Sequence, residues 1–154
     1  MATFISNSAA ETESFGRQFA GTVKPGDVLA LTGDLGSGKT QFVKGLTEAL
    51  GARTNATSPT FTLIHEYSGG RLSVYHFDFF RIEDKQSAER LGLDEYFFGD
   101  GVSVVEWAAR FPELIPRSAH WISFETKSET QRAITVSEHS PAFQPGESNQ
   151  RARE

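Results

Sequence analysis

The sequence predicts a single α/β domain, a mixed parallel and antiparallel sheet flanked by helices. Three observations carry this expectation. A continuous apolar run in "DVLALTG" leads into a glycine-rich loop and then an amphipathic helical pattern, the strand–loop–helix opening of an α/β sheet. Two later stretches read as pairs of strands around polar turns, which adds antiparallel pairing. The chain has 154 residues, 38% hydrophobic content and thirteen Phe, enough for one buried core and too apolar for a disordered chain.

Taken in order, "TFIS" reads as a short strand. "ETESFGRQFAGTV" places Phe15, Phe19 and Val23 four residues apart, a helical stripe. Pro25-Gly26 marks a turn. "DVLALTG" is apolar on consecutive residues, as a strand buried on both faces should be. After the glycine loop, Phe42, Val43, Leu46, Ala49 and Leu50 form one helical face, and Gly51 stops that helix. "FTLIHEYSGGRLSVYHFDFFRI" reads as a hairpin turning at Gly69-Gly70. "EDKQSAERLG" and "DEYFFGD" read as short helices, each opened by an acidic cap and closed by Gly92 or Gly99. "VSVVEWA" is a further buried strand, and "AHWISFETKSETQRAITVSE" a second hairpin. Residues 1–138 therefore form the expected domain, and "HSPAFQPGESNQRARE", residues 139–154, is expected to be a flexible tail because it has no periodicity.

Composition narrows the chemistry. There are no cysteines, hence no disulfides or thiolate metal sites, which fits a reducing cytoplasm. His65, His76, His120 and His139 lack an H-x-x-x-H spacing for a metal. No stretch approaches the roughly 20 apolar residues of a membrane span. The opening "MATFISNSAAETES" lacks the basic and apolar regions of a signal peptide, so the expected location is cytoplasmic. With a formal net charge of −5, the chain is not expected to grip a nucleic-acid backbone by itself.

The strongest signal is "GDLGSGKT", with the spacing G-x-x-x-x-G-K-T. Gly33, Gly36 and Gly38 allow a tight turn that aims backbone N–H groups at a phosphate. Lys39 then faces the β- and γ-phosphates, and the Thr40 hydroxyl is placed to ligate Mg²⁺. The expected nucleotide-binding residues are Gly33, Asp34, Leu35, Gly36, Ser37, Gly38, Lys39, Thr40 and Gln41. Acidic partners are sought at strand ends, where ligands of α/β sheets gather. Glu106 closes the run "VSVVE". In "VYHFDFFR", alternation puts Val74, His76, Asp78 and Phe80 on one face. Glu106 and Asp78 are thus candidates for the metal site beside Thr40, and for catalysis beside Lys39. A salt bridge from Asp78 to Arg81 and a helix cap by Glu106 fit the same residues, and His76 reads as a packed or hydrogen-bonded histidine.

The ordered set "GDLGSGKTQFVKG", "SPTFTLIHEY", "VYHFDFFRI", "LGLDEYF" and "VVEW" resembles the TsaE family, the bacterial ATPases of tRNA threonylcarbamoyladenosine biosynthesis. The resemblance runs from about Val28 to Trp107 and less distinctly beyond. Phe61, Phe79-Phe80 and Ala108 depart from residues common in the family, and none occupies a polar functional position. The resemblance implies an accessory motor: ATP and Mg²⁺ as cofactors, docking onto a two-subunit threonylcarbamoyl transferase of TsaB and TsaD type, and tRNA met only through those partners. Within that frame Glu106 is the second metal acid, and Asp78 orients water or completes the outer shell.

Thr60 and Thr62 lie where GTPases keep a γ-phosphate switch, though ordinary turn and strand threonines read the same way. Trp107 is either a core residue or a partner-facing anchor. A small-molecule kinase is the alternative function; it would need an Arg-rich lid and a substrate pocket, and the only candidate lid, Arg81 to Arg90, holds few basic residues. A GTPase would need a guanine-reading N-K-x-D, and "TKSE" at 126–129 is too degenerate to serve.

Overall fold

The computed structural model describes residues 2–34, 36–52, 54–56 and 64–138. Leu35, the switch candidates Thr60 and Thr62, and the expected tail at 139–154 lie outside the described residues.

The strands are β1 (Ala2–Ser6), β2 (Val28–Gly33), β3 (Thr54–Ala56), β4 (Ile64–Ser68), β5 (Val74–Asp78), β6 (Val102–Glu106), β7 (His120–Thr126) and β8 (Arg132–Ser137). They form one sheet in the order β1-β8-β7-β2-β6-β5-β4-β3. At its centre β7, β2, β6 and β5 run parallel. Each flank adds an antiparallel pair: β8 and β1 on one side, β4 and β3 on the other. Both expected hairpins are present, and the expected mixed α/β architecture holds.

Strand β2 explains why its sequence is apolar without alternation. Leu29 and Leu31 enter a core with Phe42, Val43, Leu46 and Leu50, whereas Val28 and Ala30 enter a second core with Phe77, Phe79, Phe97 and Trp121. Both faces of the central strand are covered, so both need apolar side chains. The first core lies under α1 (Ala9–Ala20) and α2 (Lys39–Ala49), which make the most extensive helix–helix contact of the fold. Their backbones touch through glycines: a Cβ on Gly45 would stand 1.9 Å from the Glu13 carbonyl oxygen, and one on Gly16 would stand 2.2 Å from that of Phe42. Phe15 and Phe19 of the predicted stripe pack on Phe42, with ring centroids 5.9 and 5.7 Å away.

Three local expectations are corrected. Val23 is buried but follows α1 rather than belonging to it, and Ala49 at the end of α2 is exposed. The short helix α3 (Lys85–Glu89) has its acidic cap, Asp84, whose Oδ1 accepts from the Ser87 N–H at 2.8 Å. Helix α4 (Leu93–Phe97) does not have one. Gly92 opens it in a left-handed conformation (φ 72°), and Asp94 and Glu95 sit inside its first turn, where they favour the positive end of the helix dipole without capping it.

A phosphate-loop cleft as candidate active site

Parallel register brings the site together. Leu31 of β2 lies opposite Glu106 of β6, and Glu106 lies opposite Asp78 of β5. Glu106 and Asp78 end their strands, and Leu31 stands two residues before the end of β2, all on the face covered by α2. The glycine loop leaves β2 at the same end and enters α2 at Lys39, so the strand-end expectation for both acids holds.

The loop has the backbone its glycines imply. Gly33, Gly36 and Gly38 have φ of 140°, 77° and 105°. A side chain at Gly33 would collide with the Phe124 carbonyl oxygen and with Ser37 Oγ, at 2.6 and 2.9 Å. Gly38 is the N-cap of α2 and offers no side-chain acceptor, so the first-turn N–H groups have no side-chain cap. Ser37 Oγ is buried with no hydrogen-bond partner among the described residues. Uncapped donors, an orphaned hydroxyl and glycines at positive φ suit the binding of phosphate oxygens.

Lys39 is only 5% exposed. Its Nζ donates to the Gly33 carbonyl at 2.6 Å and lies 4.1 Å from the centre of the Trp107 ring. Burial pulls the ammonium below the usual lysine range, while the Glu106, Asp34 and Asp78 carboxylates act the other way. Glu106 Oε2 is 2.6 Å from His76 Nε2. Burial pushes the Glu106 carboxyl up, but the His76 hydrogen bond and charge, with the Lys39 ammonium, outweigh it and hold the group below its usual range. Glu106 is therefore an ionised acceptor, and the imidazole N–H donates to it. The histidine is hydrogen-bonded, as its sequence context suggests, and its partner is the acid itself.

Asp78 is differently engaged. Its Oδ1 accepts from the Phe80 N–H at 3.0 Å, capping a short 3-10 turn, and Oδ2 lies 3.7 Å from Arg81 Nε. It faces Lys39 electrostatically but is not among the residues lining the cleft. The cleft has a volume of about 420 Å³. It joins Gly36, Gly38, Lys39, Thr40, Gln41, Glu106 and Trp107 to Ser8, Ala9, Thr12, Glu129, Thr130 and Arg132. The second group comes from the start of α1 and the β7–β8 turn, elements that carry no phosphate motif.

The TsaE family model, described as "Threonylcarbamoyl adenosine biosynthesis protein TsaE", matches residues 6–134. The chain belongs to the TsaE family. It is 48% identical over 125 residues to the Bacillus subtilis (strain 168) tRNA threonylcarbamoyladenosine biosynthesis protein TsaE, covering 81% of this chain and 78% of that one. The Treponema pallidum (strain Nichols) protein of the same name is 39% identical over 132 residues, 86% of this chain and 97% of that one. The crystal structure of Bacillus subtilis YdiB superposes with a TM-score of 0.73 at 40% identity, covering 88% of this chain and 83% of that one.

In this TsaE-family chain, Arg132 had no signal in sequence because it begins β8, nearly a hundred residues after the loop. Its guanidinium donates to the Gly36 carbonyl at 3.0 Å and also to the carbonyls of Ser128 and Gln131. It thereby fastens the β7–β8 turn to the phosphate loop. Arg110 does comparable work on the other side, donating to the carbonyls of Phe79, Phe80, Ile82 and Glu83. Among the described residues no cluster of three or more His, Asp or Glu forms a ready metal site. Thr40, Glu106 and nucleotide oxygens would have to share a cation. That donor set suits Mg²⁺, which keeps several waters and takes few protein ligands.

Proposed function

We propose that this protein binds and hydrolyses ATP with Mg²⁺ as the accessory ATPase of tRNA threonylcarbamoyladenosine synthesis in the cytoplasm, docking onto a two-subunit threonylcarbamoyl transferase of TsaB and TsaD type. The observation that carries the reading is the convergence of a buried Lys39, an uncapped α2 N-terminus and an ionised Glu106 on one cleft. The family's role in tRNA threonylcarbamoyladenosine biosynthesis supplies the biological setting. The net charge of −5 supports contact with tRNA through partners rather than directly.

In this reading the loop N–H groups and Lys39 hold the β- and γ-phosphates. When bound, Mg²⁺ would supply positive charge against the negative charge that develops on phosphoryl transfer. Thr40 and Glu106 would hold it, Glu106 directly or through water. Asp78, beside Glu106 but outside the cleft lining, acts from the outer shell or orients water. The nucleoside half extends toward Ser8, Thr12, Thr130 and Arg132, the remaining wall of the cleft. Thr60 and Thr62 remain the proposed switch.

The small-molecule kinase reading is weaker. Ile82 and Glu83, at the start of the segment it would use as a lid, and Phe79 and Phe80 just before that segment are held by Arg110 through their backbone carbonyls.

Calorimetry tests the reading. The wild-type chain should bind Mg·ATP, and Lys39→Ala should lose measurable binding while keeping its cooperative thermal unfolding. Equal affinity in the two proteins would overturn it.

A further inference from the structure

We propose that Trp107 is a positioning residue for Lys39: its indole face and the Gly33 carbonyl together hold the lysine ammonium where phosphates would meet it. The inference deepens the nucleotide reading and rests on it.

The first observation is the coordination of the ammonium. Lys39 Nζ has the Gly33 carbonyl oxygen at 2.6 Å and the Trp107 ring centre at 4.1 Å. A carbonyl and a π face both attract a cation, and neither carries a formal negative charge. Of the nearby carboxylates, Glu106 is bonded to His76, Asp78 is engaged by Phe80 N–H and Arg81, and Asp34 acts on the lysine only through its charge, with no hydrogen bond to the ammonium. The ammonium is therefore oriented without being neutralised, and its charge stays available to an anion. A free lysine loses considerable rotamer freedom when it binds, so fixing the stem beforehand favours binding.

The second observation is the backbone. Trp107 has φ 59° and ψ 36°, the only non-glycine residue at positive φ among the described residues. Glycine or asparagine would adopt this conformation with less strain. A bulky side chain held there is a constraint that the surrounding structure must impose, and such outliers gather at functional sites. The left-handed step directly after β6 directs the ring toward the lysine. The indole is held from outside by Phe80, whose ring centroid is 4.9 Å away and which is itself 60% exposed.

Two other roles for the ring make different demands. A Trp that stacked on the base would matter for ATP but not for a bare polyphosphate. A Trp that served only the core would matter for folding but not for either ligand.

The test is calorimetry on the full chain with Mg·ATP and with Mg·tripolyphosphate, which has no base. Trp107→Leu keeps an apolar side chain but removes the π face, and should weaken both ligands by the same factor, about 5- to 30-fold. Trp107→Tyr keeps a π face and should hold both within about threefold of wild type. Loss for ATP alone, or no loss for either, overturns the proposal. A wild-type measurement guards against variants that fail to fold. In the NMR spectrum the Lys39 side-chain protons should be shifted upfield by the indole ring current, and unshifted protons would also overturn it. If the wild-type chain binds neither ligand while the ring-current shift is present, the nucleotide reading has failed and the Lys39–Trp107 contact has not.

Discussion

His76 and Glu106 meet across neighbouring parallel strands, with Nε2 of the imidazole 2.6 Å from Oε2 of the carboxylate and both side chains largely buried. His76 lies two residues before Asp78, the register partner of Glu106, so the pair is a diagonal contact on the face that α2 covers. The bond fixes the direction of the acid the cleft depends on. Replacing the imidazole leaves a mostly buried carboxylate without its donor, and a hydrogen bond to a charged group contributes about 1.5–3 kcal/mol. His76→Ala should lower unfolding free energy by that order in a urea titration and weaken Mg²⁺-dependent ATP binding. His76→Gln retains an N–H donor and should recover part of both losses.

The two acids should separate in their effects. Glu106→Ala removes the proposed metal ligand and should weaken Mg²⁺-dependent nucleotide binding. Asp78→Ala should reduce hydrolysis more than binding, because Asp78 stands outside the cleft lining. Calorimetry and phosphate release on the same samples distinguish the two. Normal hydrolysis by both variants with partners present would refute both assignments.

The α1–α2 contact sets the width of the cleft, since Ser8, Ala9 and Thr12 line it from the start of α1. Gly45→Ala would force a methyl group to within 1.9 Å of the Glu13 carbonyl oxygen, a backbone atom that cannot swing aside. Overpacking of this kind costs about 1–3 kcal/mol, and a clear drop in melting temperature is expected. Gly21→Ala is the control. Gly21 has φ −70° and its nearest prospective contact is 3.4 Å away, so stability should change little.

Asp84 supplies a pH-dependent component of stability. The hydrogen bonds from Ser87 hold its carboxyl below the usual carboxylate range in the folded state. The charged form is thus favoured by folding. Its stabilising contribution is present above the unfolded-state value of about 3.9 and is lost as pH falls through the lower folded value. Asp84→Ala should therefore melt below wild type at neutral pH, and the gap should narrow as pH falls through that window. A gap unchanged by acid would rule this out.

Much of this architecture was legible because local pattern and tertiary setting agree. The run from Val28 to Leu31 is apolar on consecutive residues because two cores claim its two faces. Glu106 interrupts a similar run at the point where β6 leaves the core. Asp84 caps α3 through a contact three residues long, well within the reach of sequence reading. Other features depend on distant partners. The His76–Glu106 bond spans thirty residues, and Arg132 meets Gly36 across ninety-six. Strand β3 is three residues long and exists by pairing with β4, which its own composition does not announce. Gly92 reads as a helix stop because glycine commonly ends helices, yet the same positive φ lets it open α4.

The proposed ATP hydrolysis should depend on partner proteins, because of the charges around the phosphate loop. Rapid phosphoryl transfer commonly uses an arginine finger that contributes about 10³ to 10⁵ in rate. Among the described residues, the cations lining the cleft are Lys39 and Arg132. Lys39 belongs to the phosphate loop, and the Arg132 guanidinium is engaged by the carbonyls of Gly36, Ser128 and Gln131. Arg81 stands 3.7 Å from Asp78. The most direct measurement is phosphate release by the purified chain with Mg·ATP, first alone and then with the two transferase subunits. Slow release alone and marked acceleration on adding the subunits is the expected result. Rapid turnover by the isolated chain, unchanged by the subunits, would contradict the account.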